Sequence, residues 1–533
     1  MFGVSMKNRK VLYAPPARPA CIADGLPLPA GATGDVEPGF RASVGALSQR
    51  TLQLLNVGHF EQSAACARQA ISIDQGSGFL RLLLGVALTQ GGRRREALEA
   101  FTRAAVLAPH DPQIRYNLAV ALHESGQQER AMVEYRACLE RDPDCANALW
   151  NYGELLRLRE HFDKALECFD RLAHLEGRLR DKAAHRMAVC CAYLGLDERA
   201  RALFETQIAE DNDPVTHWEY AHFLLGRGRF RDAWPHYARR FDAGKEISLK
   251  GMSFPYSIWS GQFESGSTLI VSGEQGAGDE ILFAAFLPLL LKRARSANMR
   301  VVVVCRPALV RLFRESFPSA SVLGGMVTQE PDLRAFAQES SRIWRIPIGD
   351  LPLWLDKPEP DAYLKPAPED QHTARQLVAQ SRSGDGCRHI GIVWSANPVS
   401  TASNRLARSV PSELLNAYLK DIGGVHFYSL MPAEHRAVLA GVPDLPVTDL
   451  SHFLTDFSRT AAAMQCLDEI VSVCTSSANL AGALGLKTHV LLQKHADWRW
   501  FGDTAWYSDV VTYRQEARAD WGTCLQALSA NWR

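Results

Sequence analysis

At 533 residues the chain is longer than one core supports, and about three folding units are expected. Apolar residues make up 47% and charged residues 22%, close to the soluble globular average, which excludes wholesale disorder. Lys plus Arg (59) equal Asp plus Glu (59) with no long basic block, which argues against a nucleic-acid footprint or a polybasic membrane patch.

Residues 1–43 are rich in Pro, Ala and Gly, carry no helical or strand period, and read as a flexible leader. Their start, MFGVSMKNRKVLYAPPARPA, lacks an apolar run of signal-peptide length. The longest apolar stretch, Ile281 to Leu291, is broken by Pro288 and closed by Lys292-Arg293, too short for a membrane span. The twelve cysteines show no CxxC and no zinc-ribbon spacing, so free thiols, a reducing cytoplasm and no metal site are expected.

From residue 44 to about 247 the chain repeats itself every 34 residues, in about six copies. The clearest copy, Pro112 to Cys145, places Leu118-Ala119 and Leu122 on one helix, Gly126 at the turn, and Ala131, Tyr135 and Cys138 on a second. Its neighbours repeat the order with Gly85, Phe101 and Pro109, and with Gly153, Ala165 and Phe169. Small residues sit where two antiparallel helices cross closely, and large ones fill the gaps between successive pairs. This spacing resembles the tetratricopeptide repeat family. The resemblance implies a groove for a peptide or protein segment, with self-association or a spacer as the plainer alternative, so both a monomer and a homo-oligomer stay open.

After the last repeat the period changes. Strands are predicted at Thr268–Ser272, Arg300–Cys305 and Arg342–Pro347, then at His389–Trp394, Val425–Leu430, Glu469–Val473 and Thr488–Leu492, with helices between them. The alternation predicts two doubly wound α/β units, residues 248–380 and 381–533, with a ligand crevice at their strand carboxyl ends.

Four loops at those ends are chemically suggestive. GEQGAGDE (273–280) brings Gly276 and Gly278 before Asp279 and Glu280, though acidic residues at a helix start are also ordinary capping. It is neither a Walker loop nor a GxGxxG fingerprint. The loop after Trp394, SANPVSTASNRLARSVP, carries Asn397, Arg405 and Arg408, suited to a diphosphate or simply solvated. Thr475, Ser476 and Ser477 lead directly into a helix with Asn479, which makes an anion site or an N-cap. KHADWRW (494–500) collects Asp497, Trp498 and Arg499, a cleft or a wedge between the two units.

In order, the repeats, FPYSIWSG, GEQGAGDEILFAAFLP, GIVWSANP, SANLAGALG and ADWRW resemble bacterial tetratricopeptide-repeat proteins with a C-terminal glycosyltransferase-like domain. That domain is similar to the heptosyltransferases and, more distantly, to the repeat-containing O-GlcNAc transferases, both of GT-B architecture. The resemblance implies metal-independent, inverting transfer of a sugar from a nucleotide-sugar substrate, with no cofactor, to an acceptor. That acceptor is expected to be a protein such as a flagellin or surface subunit. It gives Asp279 the role of general base. It places Arg408 on the donor phosphates, Trp394 and Asn397 beneath the nucleotide, and Thr475 to Asn479 around the diphosphate. Two positions depart from the family pattern: Cys474 stands where an Asp is usual and Asn479 where a His is usual. The departures keep a second reading open, a repeat scaffold with a non-catalytic GT-B domain.

Overall fold

The computed structural model describes residues 38–242, 252, 254–326, 331–333, 336, 338–356, 361–381, 386–396, 408–445, 447–500 and 506–532. Residues 1–37 of the expected leader lie outside this set, whereas 38–43 are already helical, so the first helix begins before the predicted repeat boundary at 44.

Six antiparallel helix pairs follow: α1 (Pro38–Asn56) and α2 (Phe60–Ile73), α3 (Gly78–Gln90) and α4 (Arg94–Leu107), α5 (Pro112–Glu124) and α6 (Gln128–Arg141), α7 (Ala146–Leu158) and α8 (Phe162–Ala173), α9 (Arg178–Leu194) and α10 (Asp197–Asp211), α11 (Pro214–Gly226) and α12 (Phe230–Tyr237). Side-chain caps start three of them: Ser77 accepts from Leu80 N–H, Asp111 from Gln113 and Ile114, and Asp213 from Thr216. The turns at Gly58, Gly92 and Gly126 are left-handed, with φ of 81°, 77° and 80°. In the following copy Glu160 adopts φ 64°, a strained conformation for a non-glycine residue that the pattern around it enforces. The close crossings are as the sequence predicts. A Cβ added at Gly153 would lie 2.9 Å from the Phe169 ring, and one at Gly85 would lie 2.6 Å from Phe101 Cδ1.

By internal contact the chain divides between Asp211 and Asn212. The sixth pair therefore groups with the α/β region rather than with the repeats before it, and the expected boundary at 247/248 moves upstream. The reason is packing. Trp234 of α12 meets Phe283 and Trp498 edge-on at 6.2 and 6.1 Å between ring centroids.

Among the described residues the α/β region holds two wholly parallel sheets. The first runs β1 (Ser257–Ile258), β5 (Ile343–Pro347), β2 (Thr268–Ser272), β3 (Arg300–Cys305), β4 (Ser321–Gly324). The second runs β11 (Val510–Arg514), β10 (Thr488–Leu492), β9 (Glu469–Val473), β6 (Arg388–Val393), β7 (Val425–Ser429), β8 (Val447–Asp449). Central strands are apolar and buried on both faces, as β9 and β10 are throughout. Met252, Phe254, Ile270, Val302, Val304 and Leu333 form a core on the first sheet. The helix Pro368–Ser381 lies against the second half, where Ser458 Oγ donates to Asp370 Oδ2 at 2.6 Å.

Each sheet reverses direction once. The chain leaves β2 for β3 and β4 and returns to β5 on the other side; likewise it leaves β6 for β7 and β8 and returns to β9. Ligands of open α/β sheets bind outside the strand carboxyl ends at such reversals. Here those ends carry the loops 273–280 and 348–353 in the first sheet, and 394–396 and 474–477 in the second.

Candidate functional site

The loop after β2 is shaped by opposed restraints. Gln275 is left-handed (φ 56°), with its carbonyl accepting from Arg306 and its side-chain amide donating to Tyr237 OH at 2.7 Å. The helix Ala277–Phe283 starts two residues on, and Asp279 caps it by accepting the Gly276 N–H on Oδ2 at 3.0 Å. Its other oxygen, Oδ1, is ion-paired with Arg499 Nη2, and Arg499 Nη1 also reaches Asp497 Oδ1 at 2.5 Å. Asp279 thus makes the expected capping contact and, through Arg499, reaches the loop after β10 in the other half.

Asp279 is only 7% exposed. Burial raises its carboxyl above the ordinary range, against the opposing pull of the Arg499 charge. Glu280 next to it is pushed up to about 8 by burial, although Arg306 lies 3.0 Å from Oε1 and the Arg306 N–H donates to Oε2 at 3.0 Å.

Gly278 supplies the close approach between halves. A Cβ there would lie 3.1 Å from Asn479 Nδ2 and 3.3 Å from Ser476 Cα, so any larger residue would part the helix start at 277 from that of Ser476–Ala483. Thr475 caps the latter helix without a side-chain bond to it, and its hydroxyl instead meets Ser472 Oγ at 3.1 Å. Asn479 is buried, donating to Thr475 O at 3.3 Å and accepting from Tyr507 OH at 3.0 Å. Cys474 accepts the Trp500 indole N–H at 3.2 Å. Burial and the Asp497 charge push its thiol up, while the Arg408 charge pulls it down. Arg408 thus acts electrostatically on the start of the 474–479 segment.

The structure accordingly brings Gly276, Gly278, Asp279 and Glu280 after β2 together with Ser476 and Asn479 after β9 and with Arg499 and Asp497 after β10, beside Trp498; Thr475 and Ser477 flank Ser476 in the chain, and Arg408 acts through its charge on Cys474. Trp394, expected beneath the nucleotide, is 1% exposed and donates to Ser412 Oγ at 2.9 Å, so its ring belongs to the core beneath the loop. Asn397 and Arg405 lie outside the described residues. Trp498 is buried too, with the Arg499 guanidinium 4.8 Å above its ring and Trp506 at 6.2 Å, so its ring is packed against neighbours of the α/β region.

Sequence reasoning missed Glu274, Arg240 and Asp350. Glu274 accepts from Arg240 Nε at 2.8 Å and Nη2 at 2.5 Å, and from the Gly349 N–H at 2.8 Å; Arg240 Nη1 also reaches Asp350 Oδ1 at 2.5 Å. These partners are 34 and 110 residues apart in the chain, which no local pattern reveals.

A cavity of about 360 Å³ lies elsewhere, at the amino ends of β2 and β3, lined by Thr268, Arg295, Asn298, Arg300 and Glu339 among others. It carries none of the loops at the reversals. Among the described residues no group of three His, Cys, Asp or Glu side chains converges to hold a metal ion, and no helix is long and apolar enough to cross a membrane.

Comparison with known proteins agrees with the helical reading. A tetratricopeptide-repeat family model matches residues 82–137 and 134–176. The helical array carries tetratricopeptide repeats. The chain is 25% identical over 450 residues to Protein FlbA of Caulobacter vibrioides, covering 80% of this chain and 73% of that protein. It is 31% identical over 179 residues to a putative cellulose synthase operon protein C of Escherichia coli O157:H7, covering 31% of this chain and 15% of that protein. Among solved structures, a glycosyl transferase family 9 protein from Veillonella parvula aligns at a TM-score of 0.39 and 13% identity, over 48% of this chain and 88% of that one. MamA aligns at 0.29 and 15%, over 32% of this chain and 93% of its own. The described fold is a helical repeat array followed by an α/β region with two parallel sheets.

Proposed function

We propose that the chain is a glycosyltransferase that moves a sugar from a nucleoside-diphosphate sugar to a hydroxyl of an acceptor, and that the acceptor is a protein engaged by the repeats, of the flagellin or surface-subunit kind. The observation that carries the reading is Asp279: a buried carboxylate with a raised pKa, on the loop at one sheet reversal, tied by Arg499 to the segment after β10 of the other sheet. A carboxylate in that setting is suited to general-base work near neutral pH.

In the proposed step the acceptor oxygen attacks the anomeric carbon as its proton passes to Asp279. The bond from that carbon to the β-phosphate oxygen breaks, and its electron pair leaves with the nucleoside diphosphate, inverting the centre. Arg408, Thr475, Ser476, Ser477 and the free backbone N–H groups at the start of Ser476–Ala483 would offset the charge growing on the leaving group. No metal or cofactor enters this route, and a cytoplasmic location fits the use of nucleotide sugars.

Asp279→Asn tests it: in variant protein shown to be folded by circular dichroism, donor consumption and acceptor mass gain should fall by roughly 10²–10⁴. Unchanged turnover would remove Asp279 from the mechanism. A second reading, a non-catalytic repeat scaffold, is favoured by one observation. Cys474 and Asn479, which replace the family's Asp and His, are both engaged by neighbours, Trp500 and Tyr507.

A further inference from the structure

At the first reversal a side chain of the helical region bridges the loops after β2 and β5. Arg240 follows α12 in a short 3-10 turn, Ala238–Phe241, and is fully buried. Its guanidinium lies 4.6 Å from the Tyr237 ring centroid and 4.3 Å from that of Phe241. It bonds Glu274 on the loop after β2 with two nitrogens and Asp350 on the loop after β5 with the third. Gly349 closes the arrangement: a Cβ there would run into Glu274 Oε1 and lie 3.2 Å from Arg240 Nη2.

A buried cluster of one cation and two carboxylates is a poor way to gain stability, because desolvation offsets most of the attraction. What it supplies is geometry, since a planar fork bonded to two loops fixes both. From Glu274 the restraint passes along the chain to Gln275, which Tyr237 and Arg306 hold in its left-handed conformation, then to Gly276, whose N–H binds Asp279. The same helical pair also touches the other side of the site, through Trp234 against Trp498, next to Arg499.

We propose that Arg240 and Tyr237 are positioning residues for the Asp279–Arg499 pair, so that the sixth helical pair is a working part of the site and not the end of the repeat array. The sense in which the positioned group is catalytic rests on the glycosyl-transfer reading; the positioning itself does not.

The test is hydrogen exchange followed by mass spectrometry on the full chain, with wild type, Arg240→Met, and the apolar triple variant R240M/E274L/D350L, in which no buried charge is left unpaired. Both variants should exchange the amides of 274–280 about tenfold faster or more, with β3 and β9 protected as in wild type. Tyr237→Phe removes one hydrogen bond only, and should give a smaller rise confined to 274–277; it carries the test should Arg240→Met fail to fold. A triple variant that keeps wild-type protection at 274–280 would overturn the proposal. The same samples, heated with UDP, GDP, CDP, TDP, ADP or CMP, separate the two readings. A wild-type shift that the triple variant loses supports both. No wild-type shift, with the exchange pattern as expected, removes the donor and keeps the positioning.

Discussion

Asp279 and Arg499 depend on each other in a way that single substitutions expose. Arg499→Ala would leave a buried carboxylate with only the Gly276 N–H, and removal of one partner of a buried pair costs on the order of 3–5 kcal/mol. The expected result is a clearly lower melting temperature near neutral pH, partly recovered in acid as Asp279 takes up a proton; a melting temperature within a degree of wild type would show the pair to be solvated. Glu280 makes a prediction about pH. Its folded carboxyl titrates at about 8 against an ordinary 4.5, so the folded form holds the proton more tightly than the unfolded one. The associated stability is present below the unfolded value and is lost as pH rises to about 8, with a slope of up to about 1.4 kcal/mol per unit. Glu280→Gln lacks that slope, so the wild-type-minus-variant difference should decline across this window; parallel curves would mean that Glu280 is ionised throughout. Of these residues, Asp279, Glu280 and Arg499 were legible in the sequence because they stand beside glycines or aromatics on loops. Arg240 was not, since an arginine at the end of a helix looks solvated until the fold brings Glu274 and Asp350 to it.

At the scale of elements, the repeats follow from residue size. Gly153→Val would force a branched side chain against Phe169, and overpacking of this kind costs about 1–3 kcal/mol. The expected outcome is selective loss of helical signal at lower temperature while the α/β region melts as before, followed by far-ultraviolet circular dichroism and exchange at α7 and α8. Equal melting would show that this crossing relaxes. Strands β9 and β10 match the predicted Glu469–Val473 and Thr488–Leu492 residue for residue, because strands buried on both faces are continuous apolar runs. Strands β1, β4, β8 and β11 went unread. They are edge strands or short ones with partly exposed residues, and such segments carry no run and little alternation. Trp394 closes the predicted strand His389–Trp394 and is buried just past the end of β6.

For the whole molecule, the division after Asp211 changes what a minimal α/β fragment must contain. A chain begun at Asn212 keeps Arg240, whereas one begun at residue 248 leaves Glu274 and Asp350 buried without their cation. The first should be recovered folded and the second should aggregate, as size-exclusion chromatography would show; a folded, monodisperse fragment from 248 onward would contradict the role given to the sixth pair. The central claim, that the loops at the two sheet reversals bind a nucleotide-sugar donor, is tested most directly by a thermal-shift panel of the full chain against UDP, GDP, CDP, TDP, ADP and CMP, with Arg408→Ala alongside. The account predicts a rise with one base and not the others, absent in the variant. No rise with any of the six at millimolar concentration would contradict it and leave the repeats as the functional part of the chain.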